Sequence, residues 1–436
     1  MAISLDQSVE NSLILQISEG LRQLSVDHDC FVFSSGFSWC DALSELFTPS
    51  QLDKLQDYCG EDPIRQFIHG QVAGTMRHTY SYNKGVSNIT LTSYPEFSDP
   101  VKSSRKIVKN LKQLPYQYRI SVQLPQEISK SLDNFIKVHQ LSESVWIHPS
   151  RSIPDPFPIS HNNPLVDNDL FDRFISDDKY DLQPDRTLLS IRASGYVGLY
   201  RTPLVPHASD ILKAFYGAAL AVGLFKYGTS FQNPEDSFFI IHQISKSATE
   251  IVFTEAVDSD LTANSCRLRV TPQGDLSDEE YGEKIENLLN AVSCIFGSDK
   301  HARKIFTSCV WLFRSHTSFN PLDSLLESTI AIEALLGDRE NQAKLGISRL
   351  LGNRCAYLLG TSMQEREDII QQFDGIYQLR SDVVHSGKHR VNSHERKTSE
   401  LSKSLCARII RQELILEMKA RSKRAELASA AEVNEL

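Results

Sequence analysis

Six amphipathic segments follow Gly274-Asp275: Asp278 to Phe296, His301 to Ser315, Leu322 to Leu336, Ala343 to Leu359, Arg366 to His385 and His394 to Ala420. Short breakers at Asn320-Pro321, Gly337-Asp338, Gly360-Thr361 and Ser386-Gly387 separate most of them. Apolar residues recurring at three- and four-residue spacing give each segment one face to bury, and connections this short force neighbouring helices to run antiparallel. The pattern predicts an all-α antiparallel helical bundle over residues 276–436.

The first 275 residues carry a different rhythm and predict an α+β region. Thr48-Pro49 reads as an N-cap and first helical residue before SQLDKLQDYC, and Arg119 to Leu124 (RISVQL) alternates like a half-buried strand. From Pro149 to Asp185 six prolines and eight aspartates read as a linker or long surface loop. LLSIRASGYVGLY, FFIIHQI, TEIVFTEAV and CRLRVTP then look like strands, with one helix, Ser209 to Tyr227, among them. The division expected is therefore residues 1–148 mixed α/β, 149–185 linker, 186–275 an α+β module, and 276–436 the bundle. Gly195 and Gly198 are too isolated for a phosphate loop.

The net charge of −9 argues against a general nucleic-acid coat, but the charge is unevenly placed. Arg380 to Arg424 holds twelve Lys/Arg against five Asp/Glu, a local +7, which leaves −16 for the rest. One end of the chain is therefore suited to meet a polyanion, although a solvated basic helix gives the same balance. A second basic stripe, Lys102, Arg105, Lys106, Lys109 and Lys112, has the same two readings. The eight cysteines are scattered, with no metal-ligand spacing, which predicts buried, reduced thiols. The N-terminal sequence has no secretory pattern, and Ala214 to Phe225 is too short for the roughly 20 residues of a membrane span. A cytoplasmic protein with no membrane partner is expected.

Within the segment ending at His385, YQLRSDVVHSGKHR sets Arg380 on the apolar stripe of Phe373, Tyr377 and Val384. An unpaired guanidinium there costs several kcal/mol, so it must be paired, snorkel, or face an interface or pocket. His385 falls on another face, with Asp374, Gln378 and Ser381. Five residues of helix place the two side chains about 140° and about 7.5 Å apart. One helix does not easily aim both at one phosphate, whereas two such helices meeting at a two-fold axis can. The carbonyl end of a helix favours a cation, which suits a histidine that must give up a proton, and Asp382 is placed to orient it. Arginine supplies a forked, permanent cation for a phosphate gaining charge. An acid–base group and a cation, with no metal ligands, suffice for attack of an RNA 2′-hydroxyl on its own phosphate.

Residues 300–420 resemble a HEPN domain of the Apea-like type. The likeness rests on LLESTIAIEALLG (Leu325 to Gly337), LGISRLLGNRCAYLLG (Leu345 to Gly360) and IYQLRSDVVHSGK (Ile376 to Lys388). The resemblance implies a ribonuclease site of the Arg-x4–6-His kind, with Arg380 and His385 as its catalytic pair. It also implies action without metal or cofactor, across a homodimer. Ser381 and Asp382 fit loosely the polar positions that follow the arginine, and Glu333 matches the acidic residue of the "ALEALLG"-like helix. Glu333 is also placed to pair with Arg380 in a structural ion pair. Lys388, His389, Arg390 and His394 form a basic loop suited to flanking phosphates, or simply a solvated one.

The expected function is a metal-independent endoribonuclease, a toxin or abortive-infection effector in antiviral defence. Its N-terminal region would sense a phage-derived or other regulatory trigger. The alternatives are a HEPN module that binds nucleotide or RNA without cleaving it, and a dimerisation scaffold.

Overall fold

A computed structural model describes residues 3–81, 83–151, 185–198, 202–228, 237–244, 249–337 and 347–434. Most of the stretch read as a linker lies outside the described residues. The architecture is mixed: an antiparallel sheet within the N-terminal part of the chain and a helical C-terminal region.

The chain opens with a small helical unit. Helices α1 (Gln7–Gln23), α2 (Pro49–Cys59), α3 (Pro63–Thr79) and α4 (Pro100–Lys112), with a 3₁₀ segment at Ser34–Leu46, enclose a core of Leu13, Phe37, Phe67 and Val108. A two-residue ladder, β1 (Ser25–Val26) with β2 (Ile89–Thr90), closes its side. Thr48 caps α2 in a reciprocal box with Gln51, as the Thr48-Pro49 signal implies. On α4 the basic stripe faces outward while Ile107, Val108 and Leu111 are buried, and Lys112 pairs with Glu10 at 2.7 Å. That stripe is therefore an exposed face of an amphipathic helix, which both readings of it require.

Six strands form the main sheet: β3 (Tyr116–Gln123), β4 (His139–Ser142), β5 (Val145–Pro149), β6 (Thr187–Gly195), β8 (Phe238–Ile244) and β9 (Thr249–Ala256). Their spatial order is β4-β5-β6-β3-β8-β9, and every pairing is antiparallel. Strands from both sides of residues 149–185 thus sit in one sheet, with β6 bonded to both β5 and β3. Between β3 and β4 lies α5 (Gln126–Leu132), and α6 (Leu204–Val222) follows β6. The helix expected over Ser209 to Tyr227 is thus earlier at both ends. It stops at Gly223, whose φ of +81° favours a residue without Cβ, and β7 (Phe225–Tyr227) then pairs with β10 (Leu268–Val270).

The two faces of the sheet differ. Tyr118, Ile120, Val122, Leu189, Ile191, Phe239 and Ile241 belong to a buried cluster that continues through α6 into the C-terminal helices as far as Leu414. Sheet and bundle share one core. The opposite face carries Arg119, Ser121, His148, Ser190 and His242, all buried. Arg119 donates to Ser190 Oγ (2.9 Å) and Ser121 Oγ (3.2 Å). Its guanidinium also lies 3.0 Å from His148 Nε2. Because an arginine only donates, His148 must accept at Nε2 and donate from Nδ1 to the Pro149 carbonyl, 2.9 Å away.

The helices of the C-terminal region begin where local chemistry places them. After α7 (Ser259–Ser265) come α8 (Asp278–Ser293), α9 (Lys300–Thr317), α10 (Pro321–Leu336), α11 (Ile347–Leu359), α12 (Met363–Ser386) and α13 (Ser393–Asn434). Side chains of Ser277, Asp299, Asn320 and Ser362 accept from the first free amides of α8, α9, α10 and α12. Each such cap stabilises its helix by about 1 kcal/mol. Small hydroxyls stitch the helices together. Ser308 donates to the Ala331 carbonyl, Ser324 to Ser315, and Ser399 to Pro321. Ser328 and Ser402 meet at 2.7 Å. All eight cysteines are buried and free.

Candidate functional site

Helix α12 carries both residues of the arginine–histidine motif. Its inner face is set by Ile369, Phe373, Ile376 and Leu379, which are buried against neighbouring helices. Arg380 follows directly and is held at the edge of that face, with 23% of its side chain exposed. Its guanidinium lies over the Tyr377 ring, 5.4 Å from the centroid, and Tyr377 in turn stacks on Phe373 at 5.7 Å. The spacing of three and four residues along α12 builds this ladder.

The partner of Arg380 comes from α10. Arg380 Nη2 lies 3.6 Å from Glu333 Oε1, an ion pair too long for a hydrogen bond, and that oxygen is buried with no hydrogen-bond partner. The guanidinium on the apolar stripe is thus paired, and most of its N–H groups are left for another acceptor. Burial, with the Glu333 carboxylate beside it, pushes the Tyr377 hydroxyl up to about 12, Arg380 acting in the opposite direction. The end of α10 is itself pinned by two cations: Arg354 donates to the Leu336 carbonyl, and Lys304 to Gly337 at 2.9 Å.

His385 sits in the last turn of α12, exposed, and makes no side-chain bond among the described residues. The helix ends at Gly387, whose φ of +65° lets its N–H return to the Asp382 carbonyl. Asp382 does not orient the histidine. Its side chain accepts from Gln378 Nε2 at 2.9 Å, an i, i+4 pair on the helix surface. Ser381 is partly exposed beside it.

The basic loop divides. Lys388 is bound to Glu395, whose carboxylate also caps the start of α13 by accepting from the Asn392 amide at 2.9 Å. The Lys388 ammonium and the Asn392 amide hold the Glu395 carboxyl below its usual range. His389, Arg390 and His394 are exposed. Within one chain the structure therefore joins Arg380 with Glu333 and Tyr377. His385, His389 and Arg390 are left on the solvent side at the C-terminal end of α12. The Gln378–Asp382 pair was readable from its four-residue spacing, whereas Lys388 and Glu395 meet across the connection between α12 and α13, which helical spacing does not announce. The aromatic seat under Arg380 was readable from Tyr377 three residues before it.

In this arrangement a fixed cation and a free imidazole lie on one helix, separated around its axis by about 140°. A single copy of α12 does not readily aim both side chains at one phosphate. Among the described residues, no three or more His, Cys, Asp or Glu side chains gather as a metal site, and no helix is long and apolar enough to cross a membrane. Compared with known proteins, the chain matches no family model, no curated sequence and no solved structure.

Proposed function

We propose that the C-terminal bundle is a metal-independent endoribonuclease that acts as a homodimer, with Arg380 and His385 as its catalytic residues and antiviral defence as its setting. The observation that carries this reading is the pairing of a partly buried, pre-set guanidinium with an unbonded imidazole at a helix C-terminus. A guanidinium seated on Tyr377 loses little freedom when it takes up a phosphate, which is what a transition-state cation requires.

In the reaction a histidine removes the proton of an RNA 2′-hydroxyl. The 2′-oxygen attacks phosphorus, the bond to the 5′-oxygen breaks, and that oxygen takes the proton from the imidazolium so formed. The products are a 2′,3′-cyclic phosphate and a 5′-hydroxyl. Arg380 stabilises the charge that builds on the non-bridging oxygens. His389, Arg390 and His394 hold neighbouring phosphates. The sheet shares its core with the bundle, so a trigger recognised by the N-terminal region has a packed route to α12.

Incubation of purified protein with single-stranded RNA in EDTA tests this. Cutting that spares DNA and RNA methylated at the 2′-oxygen is expected. A requirement for magnesium, or equal cutting of DNA, would overturn it.

A further inference from the structure

A cleft of about 610 Å³ opens between α11 and α12, lined by Ile347, Ser348, Arg349, Gly352, Asn353, Ile370 and Asp374. Two features bear on what it could hold. First, Arg349 and Asp374, both exposed, line it and form no ion pair with each other or with any other described residue, and the half-buried Asn353 has no side-chain partner among the described residues. Opposite charges that share a cleft without meeting leave room between them for something that answers both. Second, Asp374 lies on the same strip of α12 as His385. Eleven residues bring the helix round to within about 20° of the same direction and advance it about 16 Å. Gln378 and Ser381 fill the strip between them. A single strand passing over His385 would therefore reach the cleft within a few nucleotides.

The chemistry of the lining selects among bases. A carboxylate can only accept, so Asp374 calls for two adjacent donors on one edge of the ligand. Guanine offers them, N1–H and the N2 amino group. Adenine and cytosine each set a ring-nitrogen acceptor beside their amino group, and uracil sets two carbonyls beside its single N–H. Guanine also presents O6 and N7 as paired acceptors, the pattern an arginine fork meets. Ile347, Ile370 and Gly352 supply apolar surface for the ring. We infer that the α11–α12 cleft is a guanine-recognition subsite, with Asp374 reading the N1/N2 edge and Arg349 the O6/N7 edge. On the ribonuclease reading above, on which this inference rests, the cleft makes cleavage prefer RNA with a guanine a few nucleotides from the scissile bond.

The test is kept separate from cleavage. Binding of the fluorescein-labelled pentamers UUGUU and UUAUU, both fully 2′-O-methylated so that no 2′-hydroxyl can attack, is measured by anisotropy on the full chain. The wild-type protein should bind UUGUU about tenfold or more tightly than UUAUU. D374N and R349Q should each lose that preference while melting at the wild-type temperature. Equal binding of the two pentamers, no binding of either, or a preference that both substitutions leave intact would overturn the inference. Preference without any cleavage of unmodified RNA would leave the subsite standing and remove the nuclease. Cleavage without preference would do the reverse.

Discussion

Arg380 Nη2 and Glu333 Oε1 face each other at 3.6 Å across α12 and α10, each with about a quarter of its side chain exposed. The pair explains how a guanidinium is tolerated beside Phe373 and Leu379. It also ties the orientation of the motif arginine to a second helix. Loss of the arginine leaves a carboxylate oxygen that already has no hydrogen bond beside the Tyr377 ring.

Arg380→Ala should therefore destabilise the protein by about 1–3 kcal/mol, since it removes both the packing on Tyr377 and the countercharge of Glu333. Glu333→Gln should cost less. A double-mutant cycle by urea denaturation should show favourable coupling of about 0.5 kcal/mol or more. Strict additivity would mean that the two side chains do not interact in solution.

His385→Ala should behave differently. The imidazole is exposed and unbonded, so its loss should shift stability by no more than about 0.5 kcal/mol while ending RNA cleavage. A variant that unfolds would make the histidine structural.

Part of the pH dependence of stability should come from two other histidines. Burial, with Arg119 nearby, pushes His242 down to about 4, and burial with Lys403 nearby does the same to His316. In the unfolded chain both titrate near 6.5. Below that value the unfolded state binds protons that the native state refuses, so stability falls as pH drops from about 6.5 toward 4. Above that window the contribution is fully present. Each group accounts for up to about 3 kcal/mol across it. Urea midpoints measured at pH 7.5 and 4.5 should differ, and His242→Gln should narrow the difference. A flat profile would contradict this.

A homodimer should form through the C-terminal bundle. Val384 is 48% exposed on α12 between the two motif residues, an apolar side chain available to such a contact. Mixing inactive Arg380→Ala and His385→Ala protomers should restore activity if each site takes its arginine from one chain and its histidine from the other. Full activity from a protein that stays monomeric at micromolar concentration would rule the shared site out.

Local signals carried much of the fold. Breakers and caps such as Asn320-Pro321, Ser277 with Glu280, and Gly387 are read within a few residues, and the C-terminal helices lie where they indicate. The sheet was less legible. RISVQL and FFIIHQI announce strands, but nothing local says that β3 sits between β6 and β8, because such pairing is decided by contacts far apart in sequence. The same limit hid the buried Arg119–His148–Ser190 network, whose members come from three strands and mean nothing singly. At the site, spacing along one helix placed Arg380 on the apolar edge and His385 off it. It also offered Asp382 as the orienting group, and there Gln378, four residues earlier, had the better geometry.

The most direct measurement is the chemistry of the cut ends. Purified wild-type protein and His385→Ala, each in EDTA, are incubated with a single-stranded RNA, and the fragments are resolved by mass spectrometry. Fragments ending in 2′,3′-cyclic phosphate from the wild type alone are the expected result. Fragments ending in 3′-hydroxyl, or equal cleavage by the His385→Ala protein, would contradict the assignment of the site.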